Sequence, residues 1–158
     1  MTPTLQSYIA GRWQGQQAAT VLRSAVNGKP VAHTHAEALD FGEATSHARR
    51  SGLPALLALD FQQRAQRLKA LAGYLLEHKE ALYAVSAHTG ATRVDSWIDI
   101  EGGVGTLFAY ASMGSRELPS GNLLHEGPAF ALGKQGGFSG THVLVPRGGL
   151  ALHINAFN

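Results

Sequence analysis

The sequence contains no cysteine among its 158 residues. This absence excludes disulfide bonds, thiolate metal ligands and a cysteine nucleophile within the chain. Charged residues are also few, since they make up 15% of the chain and leave a net charge of +2. Arg49 and Arg50 form the only adjacent basic pair, and no basic stripe alternates with aromatic residues. We therefore expect no binding to nucleic acid.

Long apolar runs are missing as well. No run approaches the roughly 18 residues that a membrane-spanning helix needs. The first residues, MTPTLQSYIAGRWQG, lack the basic head and apolar centre of a secretory signal peptide. The apolar fraction of 44% is typical of a globular protein of about one domain. These features predict a soluble, cytoplasmic protein that does not enter a membrane.

The first third of the chain has the pattern of short strands joined by tight turns. The stretch SYIAGRWQG places Gly11 between apolar residues, which predicts a hairpin. The stretch AVNGKPVAHTHA places an Asn27-Gly28 turn before another short strand. The next stretch, EALDFGEATSHARRSG, has a helical pattern that we expect to end at Gly52, because Pro54 follows it.

Three amphipathic helices are predicted in the middle of the chain. Asp60 can cap the first of them, with Gln63 in the reciprocal position of a capping box. Its apolar residues recur at helical spacing, namely Phe61, Ala65, Leu68, Leu71, Ala72, Leu75 and Leu76. A second helix is predicted over about 79–90 and a third over about 94–114. Each helix has one apolar face and therefore needs another layer to lie on.

Glycine dominates the last part of the chain, with eight glycines among the 29 residues from Gly121 to Gly149. The apolar pieces between them, AFAL and THVLV, are short, which predicts an exposed β-ribbon. Only the final GLALHI has the compactness of a buried parallel strand. A single strand of this kind cannot satisfy its own backbone. The sequence therefore predicts an α/β fold that is incomplete, as in an N-terminal piece of a larger protein.

Two motifs contain residue types that occur in ligand sites. His33 and His35 lie two residues apart and share a face of a strand, and Glu37 follows them. Without an HExxH motif or a second cluster, we interpret them as surface residues of an edge strand and predict no metal site. The stretch EGGVGT at 101–106 lacks the spacing of a phosphate-binding loop. Its glycines more simply predict close packing of a neighbouring element.

The third predicted helix carries acidic side chains whose spacing could suit an acid/base pair. Asp95 and Asp99 lie four residues apart and therefore on one helix face. No partner for proton transfer is evident beside them in the sequence. We interpret them, together with Glu101, as solvated or ion-paired residues.

Asn158 follows the apolar residues of the predicted parallel strand. This end of a strand is where α/β enzymes place their chemistry. The side-chain amide of asparagine is a neutral donor that suits an oxyanion hole. From spacing alone, a plain polar residue is the alternative interpretation.

The ending HINAFN resembles the strand-to-loop segment that aldehyde dehydrogenases commonly carry as a Thr-Pro-Trp-Asn-Phe-Pro-like motif. Asn155, Ala156, Phe157 and Asn158 fall on its first four positions. Within that family, the block TGATRVDSWIDIEGGVGTLFAYASMGSRELP at 89–119 is similar to the aldehyde dehydrogenase part of the bifunctional ring-opening enzyme of bacterial phenylacetate degradation. The semialdehyde dehydrogenase of the benzoyl-CoA epoxidation pathway is similar but less close. The resemblance covers essentially the whole chain.

The resemblance implies a fold and a division into domains. Residues 1–120 correspond to the N-terminal part of a Rossmann-like cofactor-binding domain. Residues 121–146 correspond to a β-ribbon oligomerisation element, which implies a homo-oligomer. Residues 147–158 correspond to the first strand of the cofactor-domain sheet, which is truncated here.

The resemblance also implies a reaction and its residues. In the family, a cysteine thiolate attacks the aldehyde, hydride passes to a nicotinamide cofactor, and a glutamate-activated water or a thiol releases the acyl group. Asn158 matches the residue whose amide donates to the oxyanion. Ile154, Asn155, Ala156 and Phe157 match positions that line the cofactor, although Asn155 and Ala156 depart from the common Thr and Pro. The cysteine, the glutamate and the glycine motif at the cofactor pyrophosphate all lie downstream in the family.

We therefore expect the N-terminal segment of an aldehyde dehydrogenase that uses NADP, or NAD, to oxidise a CoA-linked semialdehyde. The alternative is a non-catalytic product, either a truncated fragment or a stand-alone interaction module that docks through the β-ribbon. Continuation of the reading frame with Phe-Pro after Asn158 favours the enzyme, and a stop codon there favours the non-catalytic product.

Overall fold

In the computed structural model, which describes residues 2–35 and 38–154, the chain begins with two antiparallel hairpins. Their strands are β1 (Ser7–Ile9), β2 (Arg12–Gln14), β3 (Ala18–Arg23) and β4 (Pro30–His35). Ala10 and Gly11 form the first turn with positive φ angles of 50° and 84°. This turn geometry matches the twist of the two strands. The predicted hairpin is confirmed.

The second hairpin turns at Asn27 and Gly28, as the sequence predicts. Asn27 Oδ1 accepts a 3.0 Å hydrogen bond from the backbone of Lys29, and Gly28 has a positive φ of 69°. On its other side, β4 is joined by the residues that precede β1. The backbone of His33 exchanges 2.8 Å hydrogen bonds with Pro3 and Leu5.

A continuous helical stretch follows the hairpins. It consists of α1 (Phe41–His47), one π-helical turn (Ala48–Gly52) and α2 (Leu53–Leu57). The prediction that the helix ends at Gly52 is wrong, because Gly52 has a right-handed φ of −66°. Pro54 lies in the first turn of α2, where its missing N–H leaves no helical hydrogen bond unmade.

Three longer helices form the middle of the chain, namely α3 (Phe61–Glu77), α4 (Lys79–Ser86) and α5 (Arg93–Arg116). Asp60 and Gln63 form the predicted capping box, with hydrogen bonds of 2.7 and 3.0 Å. A 3-10 turn extends α4 to Gly90, whose φ of 90° ends the helix. Thr92 caps α5, which runs two residues beyond the predicted end at Gly114.

The core lies mainly between α3 and α5 and is built from small residues. Ala65 and Ala72 on α3 are buried, as are Val104 and Ala111 on α5. A Cβ added at Gly114 lies 3.1 Å from Ala65 Cβ, so the two helices approach closely at this point. Many large apolar side chains stay exposed on the outer helix faces. The described residues therefore do not include the layer that we expect to cover the apolar faces of these helices.

The predicted β-ribbon is present as two long antiparallel strands, β5 (Leu124–Leu132) and β6 (Phe138–Leu144). Most of its residues are exposed. In the described part of the chain, all three sheets are two-stranded and antiparallel, and residues 145–154 belong to no strand. The first strand of a cofactor-domain sheet thus stays a prediction, since a strand needs a neighbour to pair with. Within the described ranges, no helix has the length and apolarity needed to cross a membrane.

Candidate functional site

The segment that follows β6 leads to the predicted catalytic and cofactor-binding positions. Ile154 is the one predicted site residue that the structure describes, and its side chain is 89% exposed. Leu152 beside it is 81% exposed. Asn155, Ala156, Phe157 and Asn158 lie outside the described residues. The described end of the segment therefore presents apolar side chains that no described residue covers.

The base of this segment lies against the helical stretch α1–α2. A Cβ added at Gly148 lies 3.3 Å from Leu53 Cδ2, so glycine leaves room for the Leu53 side chain against the backbone at this point. A cavity of about 680 Å³ lies at this contact. Leu53, Leu56 and Leu57 line it together with residues 146–151.

Two arginines also line this cavity, and we name it the arginine cavity. Arg64 Nη2 donates a 2.9 Å hydrogen bond to the carbonyl of Leu56. The Nε atom of Arg64 is buried and has no hydrogen-bond partner among the described residues. Arg147 is the second arginine of the lining. No acidic side chain lines the cavity in the described ranges, so the two guanidinium charges are not neutralised there.

The base of the β-ribbon rests on the same helices. Gln62 Nε2 donates to the carbonyl of Leu118 at 2.9 Å, and Asn122 Nδ2 donates to the carbonyl of Leu57 at 3.0 Å. The backbone of Phe61 adds a 3.1 Å hydrogen bond to Gly121. These contacts fix where the ribbon leaves the helices.

A polar network joins α4 to α5. The hydroxyl of Tyr83, a buried residue, donates a 2.7 Å hydrogen bond to Glu101 Oε1, and Lys79 Nζ lies 3.1 Å from the same oxygen. The Tyr83 hydrogen bond, followed by that of Lys79, lowers the pKa of Glu101. Burial, followed by the hydrogen bond to Glu101, raises the pKa of Tyr83. Glu101 is therefore held as a carboxylate, in agreement with the ion-paired interpretation.

Arg93 closes the outer side of this network. Its guanidinium carbon lies 3.5 Å from the centroid of the Tyr83 ring, and its nitrogens donate to both Glu80 oxygens at 3.0 and 3.3 Å. The hydrogen bonds of Arg93 lower the pKa of Glu80. Asp95 forms a capping box with Thr92 at the start of α5, and its hydrogen bond with the Thr92 side chain lowers its pKa. These carboxylates have structural partners and do not form an acid/base pair.

The His33–His35 pair and the glycine-rich stretch 101–106 do not form ligand sites in the described structure. His35 Nε2 lies 3.1 Å from Ser7 Oγ, and His33 and His35 are both half-buried, so the expectation of surface histidines is wrong. No group of three potential metal ligands occurs in the described ranges. The stretch 101–106 lies inside α5 and is not a loop. No described atom lies within 4 Å of a Cβ added at its glycines, so close packing there stays a prediction.

Sequence reasoning missed the arginine cavity and the network around Tyr83. Lys79 and Tyr83 lie four residues apart on α4, which could have indicated a shared partner. No sequence signal links Arg64 to Arg147, because their proximity depends on the return of the chain after β6.

Comparison with known proteins gives one family and one similar enzyme. The model of the aldehyde dehydrogenase family matches residues 13–158. The 3,4-dehydroadipyl-CoA semialdehyde dehydrogenase of Aromatoleum evansii is 35% identical to the chain over 156 residues. The match covers 98% of this chain and 30% of that enzyme, so the chain spans less than a third of the relative's length.

Proposed function

Since the chain belongs to the aldehyde dehydrogenase family, we propose that it is the N-terminal segment of an enzyme that oxidises a CoA-linked semialdehyde. The family match over residues 13–158 carries this proposal, because it spans both the helical layer and the segment that leads to Asn158. The name of the similar enzyme, a CoA semialdehyde dehydrogenase, supports the substrate class. The similarity of block 89–119 supports a place in the degradation of aromatic compounds, specifically of phenylacetate.

The proposed cofactor is NADP, with NAD as the alternative. A nicotinamide cofactor supplies the acceptor for the hydride that leaves the aldehyde carbon. Ile154 fits a place beside such a cofactor, because its apolar side chain is exposed and no described residue covers it. Asn155, Ala156 and Phe157 are proposed to continue this lining.

Asn158 is proposed as the residue of this chain that acts on the reacting atoms. Its side-chain amide donates a hydrogen bond to the oxygen of the aldehyde as negative charge develops there. A preorganised donor of this kind stabilises the transition state by roughly 2.7–4 kcal/mol. The nucleophile belongs to the longer polypeptide, since this chain contains no cysteine.

The β-ribbon at 121–146 is proposed as the contact between subunits of a homo-oligomer. In the described structure β5 pairs only with β6, so each strand has one edge whose backbone groups are unpaired within the ribbon. An exposed strand edge is a template for pairing with another chain. We place the enzyme in the cytoplasm.

The proposed activity can be tested with purified full-length enzyme. Reduction of NADP and of NAD is followed with the CoA-linked semialdehyde and with the same semialdehyde lacking CoA. The expected result is faster turnover of the CoA-linked substrate and a higher kcat/KM for NADP. Equal turnover of both substrates contradicts the CoA-linked substrate class, and no turnover of any aldehyde contradicts the dehydrogenase.

A further inference from the structure

The turn of the second hairpin contains the pair Asn27-Gly28, and both residues are exposed. Asn27 is the one asparagine of the sequence that is followed by glycine. Asparagine is among the thermolabile residues of proteins, because the backbone nitrogen of the next residue can attack its side-chain carbonyl carbon. Glycine has no Cβ, so this nitrogen can approach the carbonyl closely. The pair therefore combines an electrophile with an unhindered nucleophile.

A hydrogen bond of the turn activates the side chain of Asn27. Its Oδ1 accepts a 3.0 Å hydrogen bond from the backbone N–H of Lys29. This donor stabilises the negative charge that develops on Oδ1 when a nucleophile adds to the side-chain carbonyl, as the donors of an oxyanion hole do. A Cβ added at Gly28 has no described atom within 4 Å, so the space beside this backbone is open.

The same turn holds back the nucleophile. The backbone N–H of Gly28 donates a 2.9 Å hydrogen bond to the carbonyl of Ser24, which is a buried residue. Arg23 Nη1 donates a 3.1 Å hydrogen bond to the carbonyl of Gly28, and the backbone of Ala25 donates one of 2.8 Å to the carbonyl of His88. The nitrogen of Gly28 must leave the Ser24 carbonyl and lose its proton before it can attack. The reaction therefore requires the turn to open.

We propose that Asn27 is a site of spontaneous deamidation, and that opening of the turn sets its rate. The nitrogen of Gly28 bonds to Cγ of Asn27, and Nδ2 leaves as ammonia together with the proton of the Gly28 N–H, which gives a succinimide. Water then adds to either carbonyl of this ring and yields aspartate or isoaspartate. Water is the only co-reactant, and the modification does not depend on the proposed dehydrogenase activity.

The test incubates the full-length enzyme in its native state and in urea. Deamidation of each asparagine is followed by peptide mass mapping, and aspartate and isoaspartate peptides are separated by chromatography. Asn27 should form both products, at a rate at least about tenfold lower in the native enzyme than in urea, because the native turn must first open. Aspartate without isoaspartate overturns the succinimide route. Equal rates in the two conditions overturn the role of the turn.

Two controls in urea test the part played by glycine. Asn122 is the internal control, because the side chain of Leu123 hinders attack by the nitrogen that follows it. Gly28→Ala is the matched variant and should deamidate at least about tenfold more slowly, because its Cβ hinders the same attack. In urea the strain of a left-handed alanine plays no part. A rate at Asn122 equal to that at Asn27, or an unchanged rate in Gly28→Ala, overturns the assignment.

Hydrogen exchange measures the opening of the turn directly, since exchange and deamidation both require release of the Gly28 N–H from Ser24. Arg23→Gln removes a hydrogen bond that closes the turn, and should raise both native rates by the same factor. Arg116→Gln, at the exposed end of α5, is the matched control and should change neither rate. Factors that differ between exchange and deamidation overturn the inference.

Discussion

The hydroxyl of Tyr83 and the carboxylate of Glu101 are joined by a 2.7 Å hydrogen bond that links α4 to the middle of α5. The two residues are eighteen positions apart in the sequence, and Tyr83 is buried. Their contact fixes the rotation of α4 relative to α5. It also places the Tyr83 ring under the guanidinium group of Arg93.

We expect Tyr83→Phe and Glu101→Gln each to lower the melting temperature of the full-length enzyme by a few degrees. The melting temperature of the double variant should fall by less than the sum of the two single decreases, because both changes remove the same hydrogen bond. Thermal unfolding of the wild type, both single variants and the double variant measures this coupling. Tyr110→Phe on the exposed face of α5 is the control and should have the melting temperature of the wild type. Strict additivity of the two losses contradicts the coupling.

The contribution of Glu101 should depend on pH. Its pKa is lowered by the hydrogen bonds from Tyr83 and Lys79. A carboxylate with a lowered pKa in the folded state stabilises the fold above its ordinary pKa of about 4.3. This stabilisation is lost as the pH falls through the lowered value. In urea unfolding, the wild type should therefore have a higher free energy of unfolding than Glu101→Gln at about pH 7. This difference should narrow below about pH 4. A difference in the free energy of unfolding that does not change with pH contradicts an ionised Glu101.

Gly15→Ala should be strongly destabilising. Gly15 is buried with a φ of 97°, and a Cβ added there lies 2.4 Å from Cγ of His35. Gly11→Ala is the matched control, since Gly11 has a φ of 84° and no atom within 4 Å of the added Cβ. The left-handed conformation costs an alanine roughly 1–2 kcal/mol at either position. Urea unfolding of the full-length enzyme should show a clearly larger loss for Gly15→Ala, and equal losses rule out the clash with His35.

Asn158→Ala in the full-length enzyme should lower kcat about a hundredfold or more, the scale of one lost oxyanion donor. The KM for the cofactor should change little, because the hydrogen bond strengthens only as the oxyanion forms. Asn155→Ala is the contrasting variant, and we expect it to raise the KM of the cofactor. Single-turnover kinetics separate the chemical step from product release. A kcat for Asn158→Ala within a few-fold of the wild type, with chemistry rate-limiting, makes Asn158 a structural residue.

Removal of the β-ribbon should convert the oligomer to monomers. Residues 124–144 are replaced by a short glycine-serine linker in the full-length enzyme, and the mass is measured by light scattering after gel filtration. The expected result is monomeric protein, because the free edges of β5 and β6 are lost. A loop insertion at Asn27 and Gly28, in the turn of the second hairpin, is the control and should leave the oligomer unchanged. An unchanged oligomer after ribbon removal places the subunit contact elsewhere.

The 158-residue chain by itself should have no dehydrogenase activity, because it contains no cysteine to form the thiohemiacetal. It should also aggregate or fold poorly, since large apolar side chains of its helices are exposed. Assays with NADP and several aldehydes, compared with a heat-denatured sample, check the first expectation. Light scattering and thermal melting check the second. Turnover above the denatured sample, or a cooperative melt of monomers, contradicts the corresponding expectation.

Local features of this protein could be predicted from the sequence because their partners are close in the chain. The predicted capping box of Asp60 joins residues three positions apart. The box of Thr92 has the same spacing but was not predicted. The turns at Ala10-Gly11 and Asn27-Gly28 depend on one or two dihedral angles each. The apolar period of α3 likewise follows from the residues of one helix. The prediction at Gly52 failed because a glycine followed by a proline is compatible with both a helix end and a helix start.

Only the tertiary structure decided the contacts between distant parts of the chain. Arg64 and Arg147 are 83 positions apart in the sequence and line the same cavity. The rest of α3, the helices α4 and α5 and the β-ribbon lie between them. The half-burial of His35 depends on its contact with Ser7 in the other hairpin. Such contacts are absent from any local pattern, because they follow from how the elements pack and not from the preference of each segment.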